Sequence, residues 1–176
     1  MSSPFTATLL SPAKPADADW CFVILPKPVS DTLPRRGRTS VAVKLNGHDF
    51  NATLEPDGQL SHWLKVSAAM QQAAGVAPGD EVTLAISPID AIEPELPGEF
   101  QAALAGNAAA LATWQATTLL ARVDWVHWME SAKQAATRSK RMTSACKQLA
   151  EGKQRVCCFD SSGYYDKSLK APDVKQ

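Results

Sequence analysis

The sequence predicts an α+β protein: a small six-stranded β-barrel over residues 1–90, a helical module of about four helices over 91–152, and an irregular tail over 153–176. Three observations carry this reading. Six segments of strand length, apolar or alternating, precede residue 90. A Pro- and Glu-rich connector, "IDAIEPELPG" (89–98), then breaks the pattern. From there to about residue 152 the chain shows helical periodicity with cap residues at its breaks.

The strands follow in order. "FTATLL" (5–10) alternates. "WCFVIL" (20–25) is continuously apolar and closed by Pro26, as a barrel wall requires. "TSVAVKL" (39–45), Asn46–Gly47 and "HDFNATL" (48–54) form a hairpin, because both turn residues tolerate the positive φ of a type I′ turn. "EPDG" (55–58) turns the chain into "QLSHWLKV" (59–66). "SAAMQQAAG" (67–75) is one short helix with Ser67 as N-cap and Gly75 as terminator. "APGD" (77–80) leads into "EVTLAI" (81–86), with Gly79 and Asp80 in a turn role. Six short strands leave fewest exposed edges in a closed or partly open barrel.

The helices begin with "PGEFQAALAG" (97–106) and "NAAALATWQA" (107–116), the second capped by Asn107. Thr118 caps a third helix running to about Ala135, and Thr137 a fourth ending at Gly152, with a break near Ala136.

At 176 residues, 45% hydrophobic and 20% charged, the composition is that of a soluble globular protein. No apolar run approaches the ~18–20 residues of a membrane span, and no signal-peptide pattern opens the chain, so a cytoplasmic protein without membrane insertion is expected. Cys21, Cys146, Cys157 and Cys158 have no zinc-site spacing and read as reduced thiols, with a vicinal disulfide or redox role for Cys157 and Cys158 as the alternative. No GxGxxG, P-loop, GxSxG or HExxH pattern occurs, so no catalytic residue, cofactor or metal ligand is assigned.

Charge singles out one region. The chain is neutral, yet residues 133–155 carry seven cations and one anion, a local +6. On the third helix Leu119, Val123, Val126 and Met129 share a face; on the fourth, Met142, Ala145 and Leu149 do. Arg138 falls on the latter stripe, Arg141 flanks it, and Arg122 and Lys133 project into the arc of the third helix. Lys133 and Arg138 are therefore expected to be largely buried. They would pair with Asp80, Glu93, Glu95 or Glu99, or converge with Arg141 on a bound anion, a solvated basic face being the third alternative. His62 joins the candidate anion-binding residues, although a lone strand histidine is more often a hydrogen-bonded structural group. His127 is expected toward the polar side of its helix. "PRRGR" (34–38) places Arg35, Arg36 and Arg38 in one loop, a candidate nucleic-acid contact.

The runs "WCFVILP" (20–26), "VKLNGHDF" (43–50), "LEPDG" (54–58), "HWLKV" (62–66), "AAGVAPGDEV" (73–82) and "EPELPGEFQAAL" (93–104) together resemble the bacterial domain-of-unknown-function family numbered 1905. "WMESAKQAATRSKRM" (128–142) resembles the helical region of the YdeI/OmpD-associated, bacteriocin-protection family. The resemblance implies a double-split type of six-stranded barrel, a bacterial source, and family Ala-Lys and Thr-Arg-x-x-Arg elements at Ala132, Lys133, Thr137, Arg138 and Arg141. The start of the third helix, "TTLLARVDW", is less basic than the family pattern. The barrel also resembles AbrB-like transcription regulators.

These readings give three functional expectations. The first is a non-enzymatic cytosolic protein of the bacteriocin-protection or stress type, binding a small anion or a protein partner at the barrel–helix junction. The second is an AbrB-like nucleic-acid-binding barrel. The third is an uncharacterised enzyme.

Overall fold

The computed structural model describes residues 3–157 and 159–176. It separates into two compact units, one running to Asp90 and taking in Ser162–Gln176, the other Ala91–Ser161.

The first unit holds strands β1 (Phe5–Thr8), β2 (Cys21–Ile24), β3 (Thr39–Leu45), β4 (His48–Pro56), β5 (His62–Val66) and β6 (Glu81–Pro88). They form an antiparallel sheet in the order β1-β6-β3-β4-β5-β2. Curling of this sheet brings its two ends together. Leu9 exchanges backbone hydrogen bonds with Gly79 and Asp80 beside β6, and the next residue, Leu10, exchanges two of 2.8 Å with Phe22 of β2. The chain thus changes neighbours within one residue and nearly closes the barrel. That switch is why β1 is shorter than the alternating run 5–10 that marks it.

The expected Asn-Gly hairpin is present, with Asn46 at φ 45° and Gly47 at φ 86°. Asn46 also ties the turn to β6, its Oδ1 accepting from the Thr83 N–H at 2.8 Å. Inward-facing residues follow the period of two: Val41, Val43 and Leu45 of β3 meet Val82, Leu84 and Ile86 of β6, with Cys21, Val23, Leu64 and Val66 opposite. Helix α2 (Ala68–Ala74) has the expected caps, Ser67 accepting from the Met70 N–H and Gly75 in the left-handed region at φ 67°. Asp80 caps its turn by accepting from the Ala77 N–H at 2.9 Å. A single-turn helix, α1 (Lys27–Ser30), follows Pro26. Four residues are too few to show periodicity, so it has no signature in the sequence.

Part of the tail belongs to this unit. Val174 bridges Pro12, the Ala13 N–H donates to Asp173 O at 2.7 Å, and the Lys175 N–H donates to Ser11 O at 2.8 Å. Two glycines make room for Leu169: a Cβ on Gly58 would run into its carbonyl oxygen, and one on Gly163 into its side chain.

The second unit contains α3 (Gly98–Ala105), α4 (Ala108–Ala116), α5 (Leu119–Glu130) and α6 (Ala135–Ala150). Asn107 and Thr118 cap α4 and α5, each accepting a backbone N–H at 3.1 Å. Phe100, Leu104, Trp114, Trp125, Met129, Ala145 and Leu149 make the core. Two expected boundaries move. Helix α5 stops at Glu130, not near Ala135, and α6 begins at Ala135 with Gln134 as an N-cap that makes no side-chain bond. Thr137 is inside α6 rather than its cap. Residues beyond α6 then return to α5: Gln154 O accepts from Thr117 Oγ1 at 2.7 Å and from Trp125 Nε1 at 3.2 Å. Cys21 and Cys146 are buried and Cys157 is exposed; Cys158, and with it the pair, lies outside the described residues. No helix among the described residues is long and apolar enough to cross a membrane.

Gly58→Ala and Gly75→Ala make a matched pair, since both residues have positive φ but Gly75 faces open space. Each pays ~1–2 kcal/mol for the left-handed conformation. Gly58→Ala must also displace the tail, so its urea midpoint falls further and limited proteolysis cuts first within 162–176. Equal midpoints and equal cleavage would remove the docked tail as a stabilising element.

Candidate functional site

Three of the cations in residues 133–155, Lys133, Arg138 and Arg141, lie at the elbow between α5 and α6. A helix end leaves four backbone carbonyls without partners. Here arginines from the next helix supply the donors. Arg138 Nη1 donates to Ala132 O at 2.9 Å and Lys133 O at 3.0 Å. Arg141 Nη1 donates to Trp128 O at 2.7 Å and to Ser131 Oγ at 3.0 Å. Its guanidinium carbon lies 5.4 Å from the centre of the Trp128 ring, a cation–π distance. Positive charge at the C-terminal end of α5 is also favoured by the helix dipole.

Three expectations change. Arg138 is half-buried, and its partners are backbone carbonyls rather than Asp80, Glu93, Glu95 or Glu99. Lys133 is exposed rather than buried, because α5 ends three residues before it and takes it off the helical stripe. Three of the four carboxylates have other partners: Glu93 binds Arg122 Nη1 at 2.8 Å, Glu99 accepts from Ser139 Oγ at 3.1 Å, and Asp80 holds its own turn.

Each guanidinium has five N–H donors, and Arg138 and Arg141 spend only those of Nη1. Among the described residues no carboxylate pairs with either. Two fixed, incompletely bonded guanidiniums therefore stand one turn apart on α6, with Lys133 just before them. Trp128 and Ser131 complete the elbow. Sequence reading missed their roles, because nothing in a spacing of thirteen or ten residues marks a contact across a helix break.

His62 lies elsewhere, in the barrel unit, and is fully buried. Its Nε2 is 2.9 Å from Gly37 O, which can only accept, so Nε2 carries the proton. Nδ1 then accepts from the Ser30 hydroxyl at 2.6 Å. The neutral ring thereby fastens α1 and the 34–38 loop to β5. Burial pushes its pKa down from the ordinary 6.5. This is a structural histidine by its geometry, with no exposed atom to offer an anion. His127 is also buried, not polar-facing as expected: residues after α6 return over α5, and Phe159 meets its ring edge-on at 5.1 Å.

The loop arginines are engaged within the barrel. Arg36 Nη1 donates to Asp31 Oδ1 at 2.7 Å and to Leu60 O at 2.8 Å. Arg38 Nε donates to Glu55 Oε2 at 2.8 Å. Arg35 is half-buried. Contacts to Arg36 and Lys27 hold the Asp31 carboxyl below its usual range. The loop is thus a folded part of the barrel.

Comparison with known families gives two matches. Residues 5–86 match the model of a domain of unknown function, DUF1905. Residues 93–152 match the family described as bacteriocin-protection, YdeI or OmpD-associated. Among curated proteins none matches the chain significantly.

Two measurements check these assignments. Because His62 binds a proton less readily folded than unfolded, the unfolded chain holds more protons once pH falls through about 6.5. The His62 contribution to barrel stability, measured by urea unfolding, is therefore expected to be constant at neutral pH and to decline below about 6.5. In His62→Gln the decline over that window is smaller. At the elbow, Arg138→Ala is expected to cost ~1–2 kcal/mol, the scale of lost charge-assisted bonds at a half-exposed site. A loss of ~3–5 kcal/mol would indicate a buried ion pair instead.

Proposed function

We propose that the chain, whose residues 5–86 match the DUF1905 model and whose residues 93–152 match the bacteriocin-protection, YdeI or OmpD-associated model, binds an anionic group at the α5–α6 elbow of its helical unit. The observation that carries this is the pair of arginines, Arg138 and Arg141, each fixed by backbone carbonyls and paired with no carboxylate among the described residues. Pinning a guanidinium through one nitrogen lowers the entropy lost when the others bind. A phosphate or carboxylate suits the remaining planar fork. Lys133 and the uncapped first turn of α6 add positive potential on the same side of the break.

Binding rather than catalysis is the reading. Guanidiniums keep their charge at neutral pH and cannot act as general bases there. The protein would serve in a bacterial cytosol as a protective binder, the anion being free or carried by a protein partner. The nucleic-acid reading has less support, since Arg36 and Arg38 already spend donors inside the barrel.

Calorimetric titration with inorganic pyrophosphate tests the proposal. Binding is expected, weakening as salt rises from about 50 to 200 mM. Arg138→Gln and Arg141→Gln are each expected to weaken it about tenfold, while Arg36→Gln leaves it unchanged. Absence of binding, or equal binding by all variants, sinks the elbow site. Tighter binding to duplex DNA that is lost in Arg36→Gln would move the function to the barrel loop.

A further inference from the structure

The helical unit also holds an open cavity of about 360 Å³, within the range of small-molecule sites. Its floor is apolar, formed by Leu96 of the connector, Leu104 of α3, and Leu111 and Trp114 of α4. Leu104 and Trp114 are buried, so the floor is fixed by the core.

The polar wall decides what the cavity accepts. Arg122 is there, but its donors are committed. Nε donates to Trp114 O at 2.9 Å, Nη2 to Gln115 O at 2.9 Å and Thr117 O at 3.3 Å, and Nη1 to Glu93 Oε2 at 2.8 Å. One N–H of the five is left. Glu93, by contrast, is half exposed and gives only Oε2 to Arg122, so Oε1 stays open to the cavity mouth. Gln101 and Gln115 line the same cavity. An apolar floor beside a half-exposed carboxylate suits a ligand with an apolar body and a cationic end.

We infer that this cavity binds a small amphiphilic amine, its aryl or alkyl body on Leu104, Leu111 and Trp114 and its ammonium group at Glu93 Oε1. The site is separate from the α5–α6 elbow and takes the opposite charge.

Three isosteres test it: tryptamine, its alcohol counterpart tryptophol, and the carboxylate indole-3-propionate. Each is titrated into the full chain while the Trp114 indole N–H and the Gln101 and Gln115 side-chain amides are followed by NMR. Tryptamine is expected to bind tightest and the carboxylate weakest. Glu93→Gln should weaken tryptamine about tenfold and leave tryptophol unchanged. That variant keeps its fold, because Arg122 retains three backbone carbonyls. Ala105→Phe, at the cavity wall, should exclude all three. The inference is overturned if the Trp114 and glutamine signals do not move, if the carboxylate binds as well as the amine, or if Glu93→Gln binds tryptamine unchanged. Binding confined to basic peptides would also overturn it, making the cavity a protein-docking site.

Discussion

Short helices have many ends for their length, and every end leaves carbonyls to satisfy. The helical unit meets this constraint with arginine. Arg122 reaches back to the last carbonyls of α4, and Arg138 and Arg141 reach back to those of α5 and the turn beyond it. A lysine could not replace them equally, because one guanidinium nitrogen can serve two carbonyls while the rest of the fork stays available. The α4–α5 and α5–α6 breaks thus each carry arginine. Where a carboxylate is near, as Glu93 is to Arg122, the charge is neutralised. At the α5–α6 elbow it is not. The same device that terminates a helix therefore leaves one neutral break and one cationic one.

The barrel solves its polar problem differently. Its histidine is kept neutral by burial and held in one tautomer by two local partners of opposite character, the acceptor Gly37 O and the donor Ser30 Oγ. A strand, a one-turn helix and a loop are held by one ring. The loop's arginines follow from this placement. With Gly37 fixed, Arg36 and Arg38 come within reach of Asp31, Leu60 O and Glu55. Two of the three cations in the loop thus become contacts within the barrel, and a run that looked available for phosphates is largely engaged.

Much of this was legible beforehand where the signal is local. The Asn46–Gly47 turn, the caps Ser67, Asn107 and Thr118, and the alternating strands depend on residues within a few positions of each other. The ends of α5 and α6 were not legible, because Thr137 offers as good a local cap as any. What ends α5 at Glu130 is the set of arginine contacts across the break, visible only once both helices are placed.

The candidate site divides in the same way. Arg138 and Arg141 could be singled out by periodicity and charge, since a cation on an apolar stripe is a local conflict that something must resolve. Their partners could not, and neither could the exposure of Lys133, the burial of His127 under Phe159, or the seat of Leu169 between Gly58 and Gly163. By itself the sequence determined the six strands, the five longer helices and the residues in conflict with their surroundings, because these follow from hydrophobic period and turn chemistry over short spans. Only the tertiary structure decided which backbone carbonyls, rings and carboxylates meet those residues, because such contacts join segments whose separation along the chain carries no periodic signal.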